Sequence, residues 1–520
     1  MLTTHARVAR YAIRRFVMTV SGMPRLIGLL VITGLAMPPL NAEADTSGTQ
    51  GPSEPVMSSV TTHHWTHIHG ARLPYSATVA ETQLVNPLGR PVATIFSTSY
   101  VRDDTTDHAR RPVLFLFNGG PGASSSPLHL AFGPVTLSQA VDAGGIVKGA
   151  SREIAENPNS VLDVADLVFI DPVGTGFARV LPAGDGTPYW TSSGDAESML
   201  AFIRGWSRKN DRAMSPKLIC GESYGGFRLA TMLNDANDLQ LSGALFVSPA
   251  LDMTISTAAP GNDLAYIMTL PTMAADAWYH RRVKRNGRSL EDTFRSALRF
   301  AETEYASALL QGSRLPTATR LKIAGRIAET IGVSTQFVLE RDLRIPIQDF
   351  VTGLLTTSGL RIGRTDGRNT GVDAVLSKNT PPFDDPAISP GGSASGLLED
   401  YFRSDLKFVT QRPYMTLAID VNSKWVWPTM TYESGFYLNT TPGIAKALHD
   451  NPRLKILVVG GYFDLATPAA ATVYAIDHAN LPEGRVTEIF YESGHSIYQN
   501  ASSHAKLSTD MRAFIQSSIQ

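Results

Sequence analysis

Residues 217–226 read KLICGESYGG, and this stretch decides the fold. It opens with an apolar run typical of a buried strand, turns through glycine, glutamate and serine, and continues with helical periodicity. A serine at such a turn is held exposed, because the flanking glycines let the backbone turn tightly without a side-chain clash. The stretch therefore predicts that Ser223 is a nucleophile at the end of a buried strand. A glycine turn that happens to hold a serine is the alternative.

The rest of the chain alternates between apolar strands and helical segments. Buried strands are predicted at 112–117, 167–170, 217–220, 244–248, 454–459 and 485–491. Helical patterns between them fall at 195–207, 226–236 and 469–479. Two or three antiparallel strands are expected in front, within residues 61–100. This alternation indicates an α/β class protein with a mostly parallel central sheet flanked by helices.

The middle of the chain differs in character. Helical periodicity dominates from about residue 253 to 350, and residues 378–396 are rich in Pro, Gly and Ser. We therefore expect an inserted, largely helical cap, and residues 414–432 could belong to the cap or to the core. The predicted order is a first core part at 45–252, the cap at 253–430 and a second core part at 431–520.

Two polar residues directly follow the last two predicted strands. Asp464 ends the sequence GGYFD, and His495 ends the sequence ESGH. Carboxyl ends of parallel strands meet at one edge of a sheet, and a serine–acid–histidine order is that of the α/β-hydrolase fold. His495 would take the proton of Ser223, and Asp464 would fix the imidazole tautomer and stabilise its charged form. The sequence thus predicts a catalytic triad, with ordinary loop residues as the alternative.

A second glycine-rich loop, NGGPG at residues 118–122, follows the first buried strand. In α/β-hydrolases that loop supplies one oxyanion N–H, and the residue after the nucleophile supplies another. We expect the two donors to be the N–H groups of Gly120 and Tyr224. A plain turn is the alternative interpretation of this loop.

Together these motifs resemble the serine carboxypeptidase family. NGGPG, GESYG, Asp464 and the Gly494-His495 pair stand in the family's order, and NP at 157–158 and DPVGTGF at 171–177 are also similar. The likeness spans most of residues 110–250 and 450–500. It implies an α/β-hydrolase fold with an inserted cap, and removal of one residue at a time from the C-terminus of a peptide. The one cysteine, Cys220, excludes a disulfide within the chain, which is consistent with a bacterial-type branch.

The resemblance also implies how substrate would be bound. Asn118, Glu222 and the N–H of Gly119 would hold the terminal carboxylate of the peptide. Glu222 would then have to be neutral, because two carboxylates cannot share a hydrogen bond unless one is protonated. Family members carry a partner acid for this glutamate soon after the glycine-rich loop, whereas residues 126–134 hold no acid and only His129. A buried structural role for Glu222 is the alternative.

The first 44 residues have the pattern of an export signal. Arginines at 10, 14, 15 and 25 precede an apolar run at 26–40, and Ala42-Glu43-Ala44 fits a cleavage site. The run is short for a membrane span, which needs about 20 apolar residues. We therefore expect an exported protein, periplasmic or extracellular, without a stable membrane partner after cleavage. An uncleaved anchor is the alternative.

The composition is that of an ordinary globular protein. Of 520 residues, 43% are hydrophobic and 18% charged, and a net charge of -1 gives no sign of a nucleic-acid partner. Histidines at 63, 64, 67 and 69 could form a metal site, but a solvated strand surface is the favoured interpretation, so we expect no metal. We also expect no cofactor, because triad chemistry needs none. Cys220 is expected to be an inert core thiol.

The sequence alone leaves three candidate functions. The favoured one is a serine carboxypeptidase that acts on peptides. An esterase or acyltransferase on the same fold, with a structural Glu222, is the enzyme alternative. A non-catalytic envelope protein that binds ligands is the third, and the intact set of Ser223, Asp464 and His495 argues against it. The oligomeric state, the preferred C-terminal residue and the biological substrate stay open.

Overall fold

The computed structural model describes residues 55–56, 59–141, 147–372, 385–388, 393–428 and 437–520. The predicted export signal lies outside these ranges. Within them, no helix combines the length and the apolar character needed to cross a membrane.

Within the described residues, nine strands form one central sheet, and four further strands form two small hairpins. The thirteen strands are β1 Val60–Ile68, β2 Ala71–Val85, β3 Pro91–Arg102, β4 Val113–Phe117, β5 Val135–Val141, β6 Val147–Glu156, β7 Asp166–Asp171, β8 Lys217–Glu222, β9 Gly243–Val247, β10 Leu360–Ile362, β11 Thr370–Val372, β12 Lys455–Gly461 and β13 Val486–Tyr491. The order in the large sheet is β1-β2-β3-β7-β4-β8-β9-β12-β13. Pairing is antiparallel from β1 to β7 and parallel from β7 to β13.

Helices cover both faces of this sheet and fill the interval between β9 and β12. Those of the described residues are α1 Ser126–Phe132, α2 Ser192–Lys209, α3 Tyr224–Met232, α4 Met253–Ser256, α5 Leu264–Tyr279, α6 Leu290–Phe300, α7 Ala306–Gln311, α8 Thr317–Ile331, α9 Thr335–Leu339, α10 Ile347–Gly353, α11 Ser393–Ser404, α12 Ile419–Ser423, α13 Thr441–Asp450, α14 Ala469–Asp477 and α15 Ala501–Ser518.

The inner parallel strands are buried on both faces, whereas the edge strand β13 is only partly buried. Every residue of β4 and of β8 is buried, which explains why their sequences are near-continuous apolar runs. In contrast, β2 alternates between buried and more exposed residues along most of its length, as a strand with one covered face does. The predicted strands of the sheet and the antiparallel lead-in strands are confirmed, with ends that differ by only one or two residues, but β13 is not a buried strand.

The order of the strands places a crevice at β4. The chain leaves β4 for β7 on one side and then crosses to β8 on the other, so the strand order reverses there. Open α/β sheets bind ligands at the carboxyl ends of the strands beside such a reversal. The glycine-rich loop follows β4, and Ser223 follows β8. The topology therefore brings the two predicted motifs to the same edge, and the predicted α/β-hydrolase fold is confirmed.

The helical interval packs on the core of the sheet. Helix α5 packs against α6, α8 and α14, and apolar residues such as Leu270 and Ile327 join the same buried cluster as Phe246 of β9. This interval has the predicted helical character. The cap at 253–430 and the other domain boundaries stay a prediction.

Two features differ from the sequence expectations. Strands β5 and β6 form a separate hairpin that the sequence analysis did not predict, because their alternation of polar and weakly apolar residues is faint. His69 was expected on a strand surface with the other three histidines, but β1 ends at Ile68. His69 lies in the following turn with a φ of 51°, since the β1–β2 hairpin reverses there.

Candidate active site

Ser223 lies in a strained turn between β8 and α3. Its φ of 61° and ψ of -125° fall in a region that residues with a side chain rarely occupy. The Ser223 N–H donates to Val247 O at 3.0 Å, and its carbonyl accepts from the N–H groups of Gly226 and Ala250. A Cβ at Gly221 would lie 2.2 Å from the carbonyl oxygen of Gly225, so glycine is required for the strand and helix to meet this closely. The predicted elbow is therefore present.

Asp464 and His495 form a direct pair. Asp464 Oδ2 lies 2.7 Å from His495 Nδ1, and the carboxylate is fully buried. The carboxylate also accepts from the N–H of Ala466 at 2.8 Å and from the N–H and hydroxyl of Thr467 at 3.0 and 2.6 Å. Burial alone would raise the pKa of Asp464, but His495 and these donors hold it below its ordinary value. Asp464 is thus an ionised acceptor that fixes the imidazole.

The backbone of His495 is held from two sides. Its N–H donates to Thr365 O at 2.6 Å, and its carbonyl accepts from Ser248 Oγ at 2.6 Å. Burial alone would lower the pKa of the imidazole, but Asp464 and Glu222 raise it above its ordinary value. The imidazole, which lies beside the carboxyl groups of Asp464 and Glu222, is therefore a suitable proton acceptor. Thr365 and Ser248 carried no sequence signal, since both are remote in the chain.

The residues next to Ser223 and His495 in the chain contact each other. In the described ranges, no hydrogen bond joins Ser223 Oγ and the imidazole. Their adjacent residues do touch, because Ser496 Oγ donates to Glu222 Oε1 at 3.4 Å. Ligand-free active sites often make the catalytic hydrogen bond only when substrate is present. The structure thus joins two of the three predicted triad residues directly, and the residue before Ser223 contacts the residue after His495.

The two predicted oxyanion donors are the N–H of Gly120, in the glycine-rich loop, and the N–H of Tyr224, the residue after Ser223. A Cβ at Gly119 would lie 2.4 Å from Tyr224 N and 2.5 Å from Gly225 N, so any side chain at residue 119 would cover the N–H groups of Tyr224 and Gly225. Gly120 has a φ of 98°, which a side chain would disfavour. Among the described residues, neither Gly120 N–H nor Tyr224 N–H has a hydrogen-bond partner. Both predicted oxyanion donors are therefore free to bind an oxygen.

Glu222 is a buried acid beside the nucleophile. Asn118 Nδ2 donates to its Oε2 at 2.7 Å, and the N–H of Leu128 donates to Asn118 Oδ1 at 3.1 Å. The second contact fixes the amide so that its NH₂ faces Glu222. Burial raises the pKa of Glu222 to about 6, although Asn118 and His495 act to lower it. The predicted carboxylate-binding residues Asn118 and Glu222 therefore contact each other. Gly119, in the same loop as Asn118, packs against the backbone carbonyl of Glu222.

Tyr498 contacts the same acid, and no motif in the sequence predicted this contact. Its hydroxyl lies 3.0 Å from Glu222 Oε1 and 2.9 Å from Oε2. The residue belongs to a short helical turn, Ile497–Gln499, just after His495. His129, the titratable residue that the sequence offered nearby, instead lies 2.6 Å from the Tyr100 hydroxyl and stacks on Phe169. In the sequence, the only feature that pointed to Tyr498 was its position three residues after His495.

A buried ion pair supports the glycine-rich loop from below. Arg228 Nε donates to Asp195 Oδ2 at 2.6 Å, and Arg228 Nη1 donates to Asn118 O at 2.6 Å. The guanidinium also lies against the rings of Phe117 and Tyr224. This pair joins α2, α3 and the loop after β4, and thereby fixes the position of Asn118.

A later segment closes the other side of the loop. The N–H of Ala418 donates to Gly122 O at 2.8 Å, and Asn422 Nδ2 donates to Pro121 O at 2.9 Å. Trp425 and Trp427 then pack edge-on against the ring of Tyr224, with centroids 5.1 and 5.6 Å away. An aromatic wall therefore flanks the residue next to Ser223.

Other sequence candidates lie apart from this site. Cys220 is buried in β8, and burial raises the pKa of its thiol, as expected for an inert core residue. In the β1 histidine group, His67 Nδ1 lies 3.1 Å from Glu156 and His63 Nδ1 lies 3.6 Å from Asp103. In the part of the chain that the structure describes, no group of three or more candidate ligands could hold a metal ion.

Comparison with known proteins places this geometry in a family context. The family model for serine carboxypeptidase matches residues 99–272, which include NGGPG and GESYG but not Asp464 or His495. No curated protein matches significantly. Similar solved structures include a prohormone-processing carboxypeptidase from Saccharomyces cerevisiae, 12% identical, with 89% of this chain and 91% of that chain covered and a TM-score of 0.49. A proline iminopeptidase from Mycobacterium smegmatis is 13% identical, with 84% and 99% covered and a TM-score of 0.34. An esterase from Thermogutta terrifontis is 11% identical, with 85% and 99% covered and a TM-score of 0.36. The chain is a serine-type hydrolase with the α/β-hydrolase fold, and its residues 99–272 match the serine carboxypeptidase family model.

Proposed function

We propose that the chain is a serine carboxypeptidase that releases residues from the C-terminus of peptides through an acyl-enzyme. The observation that carries this proposal is the Asn118–Glu222 contact of 2.7 Å directly before the nucleophile Ser223. An acid that is neutral in part of the pH range can donate a hydrogen bond to a carboxylate.

Acylation would begin at the last peptide bond. His495 accepts the hydroxyl proton of Ser223 while Oγ bonds to the carbonyl carbon. The N–H groups of Gly120 and Tyr224 donate to the oxygen as it becomes negative. His495 then gives the proton to the amide nitrogen, the carbon–nitrogen bond breaks, and the C-terminal amino acid leaves.

Deacylation repeats the same transfers with water. His495 takes a proton from a water molecule, whose oxygen attacks the ester carbonyl. The bond to Ser223 Oγ breaks, and His495 returns the proton to Oγ. Asp464 stays ionised throughout and stabilises the imidazolium in both halves.

Recognition of the C-terminus would rest on Asn118, Gly119 and Glu222. The neutral carboxyl of Glu222 donates to one oxygen of the peptide carboxylate, and the second amide hydrogen of Asn118 and the N–H of Gly119 serve as further donors. The pKa of about 6 for Glu222 leaves it neutral in mildly acidic solution. We therefore propose that hydrolysis of a free peptide, relative to that of the same peptide with an amidated C-terminus, declines as the pH rises above this value.

The test compares a peptide library with its C-terminally amidated twin, using mass spectrometry. Wild type should shorten the free peptides by one residue at a time and cleave the amidated twins far more slowly. Ser223→Ala should be inactive on both, and Ser307→Ala, at an exposed serine of α7, should behave as wild type. Internal cleavage, or equal rates on both sets, would contradict the proposal.

A further inference from the structure

Glu222 receives more hydrogen bonds than a simple donor to substrate requires. Asn118 Nδ2 donates to Oε2 at 2.7 Å, and the Tyr498 hydroxyl lies within 3.0 Å of both carboxyl oxygens. Ser496 Oγ adds a longer contact of 3.4 Å to Oε1. All three groups can donate, and donors favour the ionised form of a carboxyl group. The contacts therefore oppose the protonated form that would bind a peptide carboxylate.

Tyr498 is a permanent donor in this cluster. Burial and the neighbouring Glu222 raise the pKa of its phenol well above the ordinary value, so the hydroxyl keeps its proton. The ring is fixed by edge-on contacts with Phe132 and His504, at centroid distances of 6.2 and 6.4 Å. Its position in the turn directly after His495 ties the hydroxyl to the catalytic loop. Tyr498 thus cannot leave Glu222 without moving that loop.

We propose that Tyr498 is a positioning residue whose hydroxyl sets the protonation of Glu222, and through it the pH range in which a free peptide C-terminus is accepted. This inference rests on the proposed carboxypeptidase function. It adds a residue that neither the family motifs nor the triad includes. The hydroxyl stabilises ionised Glu222, while burial of the acid favours the neutral form, and the balance lies near the pH at which the enzyme would work.

Titratable groups of the described residues interact with Glu222 from three elements. His495 faces it from the loop after β13, Cys220 lies two residues before it on β8, and Tyr498 faces it from the short helical turn. A positive imidazole favours ionised Glu222, and ionised Glu222 favours the positive imidazole. The two groups therefore titrate as a coupled pair, and an ordinary pH profile would mix them.

A ratio of two substrates separates the two groups. A peptide with a free C-terminus requires neutral His495 and neutral Glu222, whereas its amidated twin requires only neutral His495. The kcat/KM of the free peptide divided by that of the twin therefore follows the protonation of Glu222 alone. In wild type this ratio should be high at pH 5 and fall with a midpoint above 6, because the pKa of about 6 includes the charge of His495, whereas both substrates use the neutral imidazole.

Tyr498→Phe removes the hydroxyl and keeps the ring. The midpoint of the ratio should move upwards by roughly one pH unit, because ionised Glu222 loses a charge-assisted hydrogen bond. A residue that only supports the fold would slow both substrates equally and leave the midpoint in place. The matched control is Tyr491→Phe, which removes a 2.7 Å hydrogen bond to Asp510 and should not shift the midpoint.

A second variant keeps the test decisive if Tyr498→Phe does not fold. Tyr498→3-fluorotyrosine is nearly isosteric and a stronger donor, so the midpoint should move downwards. Folding of each variant is checked by circular dichroism and by fluorophosphonate labelling of Ser223. A midpoint that is unchanged in a folded Tyr498→Phe protein, or that moves upwards with fluorotyrosine, overturns the inference.

Failure of the proposed function would look different. Glu222→Gln should make the ratio independent of pH, because the amide donates at every pH. If the wild-type ratio is flat and close to one, or if it still titrates in Glu222→Gln, the carboxylate-binding role itself is wrong. If both behave as expected and only the Tyr498 variants fail to shift the midpoint, the role of Tyr498 is wrong.

Discussion

The carboxylate of Asp464 and the Nδ1 of His495 lie 2.7 Å apart, and the carboxylate has no exposure to solvent. Because the acid also accepts three hydrogen bonds from Ala466 and Thr467, it cannot rotate away from the imidazole. This rigid acceptor fixes the ring tautomer with the proton on Nδ1, and so leaves Nε2 as the nitrogen that can take a proton.

Asp464→Asn should therefore lower kcat by about 10³–10⁴-fold, because an amide that donates from its nitrogen favours the wrong imidazole tautomer. The measurement is kcat on the best peptide found in the library. Asp477→Asn, at the exposed end of α14, is the matched control and should retain wild-type kcat. A loss below tenfold in a folded Asp464→Asn protein would show that this acid does not act on His495.

Gly119→Ala tests the oxyanion site. The new Cβ would lie 2.4 Å from Tyr224 N, so the loop after β4 must shift away from α3 and separate the two oxyanion donors, and kcat should fall by about 10²–10³-fold. Gly325→Ala in α8 is the control, because a Cβ there meets nothing within 4 Å. That change should leave kcat unaltered and stabilise the protein by up to about 1 kcal/mol, as alanine favours a helix. Normal turnover by Gly119→Ala would exclude Tyr224 N–H as a donor.

Much of this site could be predicted because its residues follow strands. Ser223, Asp464 and His495 each stand just past an apolar run, and parallel strands gather such positions at one edge. Tyr498 and Ser248 could not be found in this way. Tyr498 reaches Glu222 only because a short helical turn follows His495, and Ser248 reaches the His495 carbonyl from another strand end. Contacts of this kind depend on local backbone geometry that periodicity does not encode.

Arg228→Met should destabilise the protein strongly. It leaves Asp195 buried without its ion-pair partner, at a cost of about 3–5 kcal/mol in the free energy of unfolding. Arg228→Met combined with Asp195→Leu should recover much of that loss, because an apolar pair carries no charge to desolvate. Urea unfolding measures both. The control is Arg204→Met, which breaks an ion pair with the exposed Asp238 and should cost less than about 1 kcal/mol. Equal losses for Arg228→Met and Arg204→Met would refute a supporting role for the buried pair.

Asp276 in α5 is a buried acid whose two carboxyl oxygens have no hydrogen-bond partner among the described residues. It faces Gly367, and its charged neighbours are Asp366, Asp464 and Arg368. Burial, with repulsion from the two acids, raises its pKa well above the ordinary value of 3.8. The folded protein therefore keeps a proton that the unfolded chain releases near pH 3.8, and the contribution of Asp276 to stability must fall as the pH rises above that value.

Asp276→Asn removes this titration and should change the pH dependence of stability with a defined sign. Relative to wild type, the free energy of unfolding of the variant should increase by about 1.4 kcal/mol for each pH unit above 4, until Asp276 ionises in the folded state. Urea unfolding of both proteins at pH 4.5, 5.5 and 6.5 measures the difference, with Asp477→Asn as the exposed control. The sign decides the matter, because an ionised Asp276 held by an unseen donor would be stabilising, and the difference would then shrink or reverse as the pH rises.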